Sequence, residues 1–302
     1  MVDIAVVGGG PAGLTSAVYS RRAGKSVLVI EKAAFGGQIT WSPRVENFPG
    51  TVSVSGTELG DRLLEQAMEQ GADVELEEII SVIPPENGGC FTLKAASGAS
   101  FEAKSVIIAT GAKPRKTGLE NEDKLIGSGV CFCAVCDGAF YSGKPVAVYG
   151  GGNSALQDAL LLSEKCSMVY LIHRRDSFRG EAKLVEALKE KDNVRFVLNS
   201  VIEELVGDEE LTGIVVNEDG QKHLIEIDGL FVAIGHMPDN GIISGIAELN
   251  EKGYAISDEK CTTVIPGLFV AGDCRTKPVR QVATACADGA VAALAACSWL
   301  DA

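Results

Sequence analysis

The chain has 302 residues, of which 46% are hydrophobic and 23% are charged, and it contains 35 glycines. This length suits two α/β domains with a core each, and the composition excludes a disordered or fibrous chain. The formal net charge of −14 argues against binding to nucleic acid or to an anionic membrane, because both need a basic face.

The cysteines and the chain ends bear on the compartment. Nine cysteines are spread over segments that read as strands and helices, which favours a reducing cytoplasm over a disulfide-stapled secreted domain. The amino-terminal residues enter a strand directly, without a signal-peptide pattern. The Ala-rich stretch 282–300 contains Asp288 and has too many small residues for a spanning helix. We therefore expect a cytoplasmic protein that does not cross a membrane.

The chain begins with a sequence pattern that is typical of nucleotide-binding units. An apolar strand at 4–7 leads into Gly8-x-Gly10-x-x-Gly13, a helix to 23, and a strand at 27–30 that ends in Glu31. The glycines allow a tight turn, a close approach to a pyrophosphate and helix packing, and the acid accepts ribose hydroxyls. This unit predicts a site for FAD or NAD(H).

The stretch that follows predicts a helix and several strands. A helical pattern covers 57–71, and strands are expected at 74–83, 90–94 and 101–108, with a turn at 87–89. The third strand runs into Ala109-Thr110-Gly111, small residues that let a backbone pass close to a cofactor.

The same unit appears a second time. A strand at 145–149, Gly150-x-Gly152-x-x-Ala155, a helix to 162 and a strand at 168–172 repeat the order of the first. The second copy is followed by arginines instead of an acid, at Arg174, Arg175 and Arg179. Arginines pair with a 2′-phosphate, so this unit predicts NADP(H).

The rest of the chain alternates in the same way. A helix is expected at 180–191, and strands at 194–198, 201–206, 211–216 and 224–233, with a hairpin turn at 218–220. A strand that begins near 266 ends in Gly272 and Asp273, whose carboxylate would accept from a cofactor sugar or ribityl chain. A final helix is expected at 282–299.

The chemistry is expected at Cys133 and Cys136, which are three positions apart and are followed by Asp137. Such thiols can close into a disulfide and open to a dithiol, with a proton donor adjacent. Half of a zinc knuckle is the alternative, but no second CxxC exists and the three histidines are scattered. We therefore predict a redox pair and no metal.

Taken together, these motifs resemble the low-molecular-weight (bacterial and archaeal type) thioredoxin reductases, class II of the FAD/NAD(P)-dependent pyridine nucleotide-disulfide oxidoreductases. The resemblance covers nearly the whole chain and rests on the segments 8–13, 36–38, 45–50, 109–111, 133–138, 150–155, 173–175, 233–236, 271–273 and 280–281. In the related glutathione and lipoamide reductases the thiols lie in the FAD domain with a C-x4-C spacing, whereas here they precede the second glycine turn.

The resemblance implies an α/β fold with two Rossmann-like, three-layer β/β/α domains in a homodimer. The FAD domain would comprise 1–115 and 244–302, and the NADPH domain, 116–243, would be inserted between them. The implied FAD residues are Gly8, Gly10, Pro11, Ala12, Gly13, Glu31, Gly37, Gln38, Asn47, Ala109, Thr110, Gly111, Gly272, Asp273, Arg280 and Gln281. The implied NADPH residues are Gly150, Gly152, Asn153, Ser154, Ala155, His173, Arg174, Arg175, Arg179, Ile234 and Gly235.

The resemblance also implies an activity, the NADPH-dependent reduction of the thioredoxin disulfide. Hydride would pass from NADPH to FAD, and electrons would then open the Cys133–Cys136 disulfide, with Cys136 facing the flavin. Cys133 would attack thioredoxin, and Asp137 would manage the thiol protons. Open alternatives are another small disulfide protein or a peroxiredoxin as substrate, ferredoxin as reductant, and a flavin-bound redox sensor without turnover.

Two cysteines depart from the usual pattern of that family. Cys131 adds a thiol two residues before the pair, and Cys274 follows Asp273, where an aliphatic residue is usual. We expect both to be buried apolar fillers. Otherwise, Cys131 would compete in disulfide exchange.

Overall fold

A computed structural model of the chain describes residues 1–42, 44–86 and 89–302, so the turn expected at 87–89 lies outside the described residues in its first two positions. The strands are β1 (Val2–Val7), β2 (Val27–Glu31), β3 (Asp73–Leu76), β4 (Ile79–Ile83), β5 (Phe91–Ala95), β6 (Ser100–Ile108), β7 (Ala112–Pro114), β8 (Val130–Cys131), β9 (Pro145–Tyr149), β10 (Met168–Ile172), β11 (Val194–Val197), β12 (Ser200–Val206), β13 (Gly213–Glu218), β14 (Gln221–Glu226), β15 (Gly229–Val232), β16 (His236–Pro238) and β17 (Leu268–Val270). The helices are α1 (Pro11–Arg22), α2 (Gly56–Glu69), α3 (Glu122–Leu125), α4 (Ala134–Asp137), α5 (Asn153–Ser163), α6 (Ala182–Lys189) and α7 (Val282–Leu300).

The chain divides into two compact units. The first comprises Met1–Lys113 and Met237–Ala302, and the second comprises Pro114–His236. The boundaries expected from the sequence, after 115 and after 243, lie two (115 − 113) and seven (243 − 236) residues further along the chain. The second unit is therefore an insertion in the sequence of the first.

The first unit is built on a sheet with the strand order β3-β2-β1-β6-β5-β4, in which β17 also pairs with β6. β1, β2, β3, β6 and β17 run parallel, and β4 and β5 are antiparallel to their neighbours. Alternate residues of β1 enter different clusters: Ile4 and Val6 pack with α1 and α7, and Ala5 and Val7 pack with β4 and β5. Since both faces of this central strand are buried, its sequence is a continuous apolar run.

α7 is the longest helix among the described residues and lies in the core of the first unit. It is long and apolar enough to cross a membrane by length and composition alone. Ala292, Ala293 and Ala296 are nevertheless fully buried, and a Cβ on Gly289 would lie 2.2 Å from the Ala12 carbonyl oxygen of α1. The small residues of α7 therefore serve close helix packing inside the protein.

The second unit repeats this architecture. Its parallel sheet has the order β11-β10-β9-β15-β8, and an antiparallel sheet follows with the order β12-β13-β14. In β9, Val146 and Val148 pack with α5 and α6, whereas Ala147 packs toward β12 and β13. Each unit thus has helices, a parallel sheet and an antiparallel layer, which confirms the predicted α/β class with two Rossmann-like units.

Two strand predictions were wrong in the same way. The stretch 74–83 forms two strands, β3 and β4, which lie at opposite edges of one sheet. The stretch 224–233 is divided between β14 and β15, which belong to different sheets. The hairpin turn is where it was expected, with Asp219 and Gly220 at φ values of 48° and 89°.

Candidate functional site

Two positions of the glycine turn in the first unit, Gly8 and Gly13, accept only glycine. Gly8 has φ of 111°, and a Cβ there would lie 2.3 Å from the carbonyl oxygen of Ala109, at the end of β6. A Cβ on Gly13 would lie 1.9 Å from the carbonyl oxygen of Gly8. α1 starts at Pro11 after Gly10 without a side-chain cap, so the amides of its first turn are available to a phosphate.

Other predicted FAD residues surround this turn. Gly37 has φ of 60°, and its Cβ would lie 3.1 Å from Gly10 Cα. Gly272 has φ of 79°, and its Cβ would lie 2.8 Å from Ala12 Cβ. The backbone segments thus meet without side chains between them, which leaves a cradle for a flat or extended ligand.

Two polar contacts fix the edge of this cradle. Gln38 Nε2 donates to the carbonyl oxygen of Ala112 at 2.9 Å, and Asn47 Nδ2 donates to Gln281 Oε1 at 3.2 Å. Gln281 also caps α7, in reciprocal hydrogen bonds with Thr284.

Glu31, at the end of β2, is held by backbone amides. Its Oε2 accepts from the Gly9 N–H at 2.7 Å and its Oε1 accepts from the Ala33 N–H at 3.0 Å. Each carboxylate oxygen has a second lone pair, so the group remains able to accept ribose hydroxyls.

Among the buried side-chain oxygens of the first unit that have no hydrogen-bond partner in the described residues are Thr110 Oγ1 and Asp273 Oδ1, which belong to the predicted FAD residues. Burial raises the pKa of Asp273, and the charges of Lys277 and Arg280 oppose that rise. Unpaired buried oxygens need a partner. Together with the glycine cradle, they fit FAD, whose sugar and ribityl chains carry hydroxyls.

Arg280 lies just before α7. Its guanidinium carbon is 4.2 Å from the centre of the Tyr254 ring, and its Nε donates to the Asp273 carbonyl oxygen at 3.5 Å. A cation–π contact thus holds Arg280 next to Asp273.

The second glycine turn repeats the first. A Cβ on Gly150 would lie 2.4 Å from the carbonyl oxygen of Ala233 and 2.8 Å from Ala155 Cβ. A Cβ on Gly152 would have nothing within 4 Å, so space is open at the start of α5, where Ser154 is exposed. After β15, Ile234 is half-buried and Gly235 has φ of 113°.

His173 is buried against a glycine that the sequence analysis did not single out. A Cβ on Gly151 would lie 2.2 Å from His173 Cε1, so only glycine fits beneath the ring. The ring stacks on Phe178 with 5.3 Å between centroids, and burial lowers the pKa of His173. The middle glycine of the run at 150–152 was the available signal.

The three predicted arginines Arg174, Arg175 and Arg179 are exposed. The Arg179 N–H donates to the Gly151 carbonyl oxygen at 2.8 Å, which brings the arginine segment back to the glycine turn. Asn153 is engaged elsewhere, because its Oδ1 accepts from the Glu181 N–H at 2.7 Å and its Nδ2 donates to Glu181 Oε1 at 3.0 Å.

Cys133 and Cys136 form a disulfide with 5.3 Å between their Cα atoms. Cys133 immediately precedes α4. The Cys136 N–H donates to Cys133 Sγ at 3.1 Å, and the Asp137 N–H donates to the Cys133 carbonyl oxygen at 3.0 Å. A backbone N–H aimed at a sulfur stabilises its thiolate, so the geometry favours Cys133 as the ionised thiol after reduction.

Asp137 has a buried Oδ1 with no partner in the described part of the chain. Burial raises the pKa of this carboxyl to about 6. It can therefore exchange a proton close to neutral pH, as an acid or base for thiols must.

Both extra thiols lie in the interior. Cys131 Sγ is 3.3 Å from Tyr141 Oη, and burial, with the nearby charge of Asp137, raises the Cys131 pKa to about 12. Cys274 is fully buried, and burial raises its pKa to about 11. A thiol that stays protonated is a poor nucleophile, so both positions suit fillers. The described residues contain no group of three or more His, Cys, Asp or Glu placed to hold a metal.

An ion cluster of the first unit was not predicted from the sequence. Asp288, expected only to interrupt an apolar helix, accepts from two nitrogens of Arg275 at 2.8 Å and from Lys277 at 2.9 Å. Asp158 of α5 was not predicted either, and burial raises its pKa to about 6. A charge inside an apolar helix was the only signal for Asp288.

Comparison with known proteins agrees with this geometry. The family model described as "Pyridine nucleotide-disulphide oxidoreductase" matches residues 2–289. The chain belongs to this family.

Similar members of the family are thioredoxin reductases. The one from Helicobacter pylori is 40% identical over 100% of this chain and 99% of its own length, and the one from Listeria monocytogenes is 38% identical over 96% and 91%. The crystal structure of thioredoxin reductase from Streptococcus pyogenes superposes with a TM-score of 0.93 at 34% identity, covering 100% of this chain and 98% of that one.

The raised pKa of Asp137 has a measurable effect on stability. Because the folded state holds this proton up to about pH 6, against a usual value of 3.8, stability falls as pH rises through that window and stays lower above it. Asp137→Asn removes this loss. We expect the variant to gain roughly 1–3 kcal/mol over the parent between about pH 4 and about pH 7.

The measurement is the unfolding midpoint of both proteins at several pH values, with Asp192→Asn as the control, since Asp192 is an exposed carboxyl of the same unit. A variant-to-parent difference that does not change with pH would contradict the assignment.

Proposed function

We propose that this protein is an NADPH-dependent thioredoxin-disulfide reductase. The observation that carries the proposal is the Cys133–Cys136 disulfide beside Asp137, whose Oδ1 is buried, in a unit that also carries a dinucleotide-type glycine turn. Membership of the family and the similarity to thioredoxin reductases over nearly the full length support it.

FAD is the proposed cofactor of the first unit. Gly8, Gly10 and Gly13 form the pyrophosphate turn, Glu31 accepts ribose hydroxyls, and the unpaired oxygens of Thr110 and Asp273 accept from the remaining hydroxyls. When bound, FAD supplies the two-electron carrier between NADPH and the disulfide.

The protein's own part of the reaction is thiol–disulfide exchange. Two electrons and two protons convert the Cys133–Cys136 disulfide into two thiols. Cys133, favoured as a thiolate by the Cys136 N–H at 3.1 Å, attacks the substrate disulfide and forms a mixed disulfide. Cys136 then attacks Cys133, which restores the internal disulfide and releases the reduced substrate. Asp137 holds and returns the thiol proton.

NADPH is the proposed electron donor at the second unit. The exposed guanidinium groups of Arg174, Arg175 and Arg179, tied to the glycine turn through Gly151, offer bidentate partners for a 2′-phosphate. Gly152 leaves the start of α5 open for the pyrophosphate.

We also propose that the protein works as a cytoplasmic homodimer with thioredoxin as its protein partner. The resemblance to the family supports the dimer. The seven cysteines outside the redox pair are free thiols, as a reducing compartment requires.

Cys133→Ser and Cys136→Ser should each abolish thioredoxin reduction, by more than about a thousandfold, because exchange needs both sulfurs. NADPH should still bleach the bound flavin anaerobically in both variants, because that step does not use the thiols. Cys131→Ser is the matched control, and should stay within about twofold of the parent. Turnover is measured as NADPH oxidation with a panel of thioredoxins and a disulfide dye.

The outcomes separate the alternatives. A parent that reduces no thioredoxin with NADPH, or that turns over only with ferredoxin, would refute the proposal. A flavin that is reduced by NADPH and reoxidised without any dithiol partner would favour a redox sensor instead. A large loss in Cys131→Ser would make Cys131 a participant in exchange.

The arginines should set the choice of nucleotide. The double variant Arg174→Ala/Arg175→Ala loses two charge-assisted partners of the 2′-phosphate, so we expect KM for NADPH to rise about 10- to 100-fold. KM for NADH should hardly change, because NADH lacks that phosphate. Arg195→Ala, at an exposed arginine of β11, is the control. Equal effects on the two nucleotides would contradict the role.

A further inference from the structure

Asp288 is a buried carboxylate that accepts four hydrogen bonds. It is 7% exposed, and it accepts from the Gly272 N–H at 3.0 Å, from Arg275 Nε and Nη2 at 2.8 Å each, and from Lys277 Nζ at 2.9 Å. Burial opposes its ionisation, but the hydrogen bonds from Arg275 and Lys277 lower its pKa. One helix residue thus anchors the whole turn that follows β17.

Lys277 is the unusual member of this cluster, because its side chain is only 5% exposed. Its Nζ lies 2.9 Å from Asp288 Oδ2 and 3.9 Å from Asp273 Oδ1. A buried ammonium is costly unless carboxylates balance it. Asp288 is already matched by the two-point contact with Arg275, so two cations face two carboxylates, and the cluster is neutral when Asp273 is ionised.

Asp273 Oδ1 is buried and has no hydrogen-bond partner among the described residues. Lys277 at 3.9 Å is beyond direct hydrogen-bonding distance, so it supplies charge to Asp273 without occupying the acceptor. The cation therefore favours the ionised form of Asp273 against the effect of burial, while the oxygen stays available as an acceptor.

We propose that Lys277 is a positioning residue for the cofactor: held by Asp288, it keeps Asp273 a carboxylate whose free oxygen accepts a hydroxyl of FAD. The inference rests on the proposed FAD site and extends it to a residue that does not touch the acceptor directly.

The other charged and titratable groups around Asp273 are Arg280, Asp288 and Cys274. Arg280 stacks on Tyr254 and donates to main-chain carbonyls, those of Asp273 and Arg275, at 3.5 and 3.4 Å. Asp288 repels a charge on Asp273, and Cys274 is a protonated thiol. Lys277 is thus the cation that the fold buries between the two carboxyl groups.

The test is the affinity of the full chain for FAD as a function of pH, read from flavin fluorescence on release and rebinding. In Lys277→Met, Asp273 loses its cation and becomes protonated at a higher pH than in the parent. We expect FAD to bind about tenfold more weakly than in the parent at about pH 6, with the difference shrinking toward about pH 8 as Asp273 ionises. Lys277→Arg keeps the charge and should restore the parental profile, and Lys252→Met, at an exposed lysine of the same unit, should not alter it.

A loss of affinity in Lys277→Met that is the same at every pH would show a packing role and overturn the proposal. Unchanged affinity would overturn it too. If Lys277→Met does not fold by circular dichroism, Asp273→Asn decides. Its amide cannot ionise, so its FAD affinity should be weak and should not vary with pH between about 6 and 8. An Asp273→Asn variant with the parental affinity overturns the proposal.

Failure of this inference is distinguishable from failure of the proposed function. A parent that binds no FAD at any pH refutes the cofactor assignment itself. A parent that binds FAD and reduces thioredoxin, with Lys277→Met unaffected, refutes only the role of Lys277.

Discussion

Both units depend on the same close approach of two backbones. The first glycine of each turn lies against the carbonyl oxygen of a residue that ends a neighbouring parallel strand, with Gly8 against Ala109 and Gly150 against Ala233. A Cβ would lie 2.3 Å and 2.4 Å from these oxygens, which is shorter than any tolerable contact. The strand order that puts β6 beside β1 and β15 beside β9 is therefore tied to the turn that would bind the nucleotide.

The two units differ in the charged residues that follow the second strand of the strand–turn–helix–strand motif. In the first unit, two backbone N–H groups hold the carboxylate of Glu31 beside the turn. In the second unit, His173 is buried against Gly151, and burial lowers its pKa. The arginines that follow it are exposed to solvent. Two units with the same order of strand, glycine turn, helix and strand thus present opposite charges to the adenosine end of a ligand, which is the physical basis for expecting two different dinucleotides.

Local sequence patterns correctly predicted the elements whose ends are marked by characteristic turn residues. β10 was expected at 168–172 and lies there, and the Asp219-Gly220 hairpin turn was placed from its residues alone. The stretches 74–83 and 224–233 misled because strand-forming residues resume directly after a break of two residues, at Glu77-Glu78 and at Ile227-Asp228. Periodicity indicates which face of a strand is buried, but not which partner the strand pairs with.

The sequence pattern also did not predict the contacts of Asp288, because its partners Arg275 and Lys277 lie 13 and 11 residues away in the chain.

Three aspartates, of which Asp288 is buried and Asp137 and Asp273 are half-buried, differ in chemical role because their environments differ. Asp288 accepts hydrogen bonds from two cations and an amide, so it is held as a charge and serves the structure. Asp273 has a cation 3.9 Å away and a free oxygen, so it suits an acceptor. Asp137 has burial and no cation among the causes of its raised pKa, so it is the one poised to exchange a proton at neutral pH. The sequence shows three aspartates after small or sulfur-containing residues, and only the distance to a lysine or arginine decides which of them is scaffold, ligand or acid.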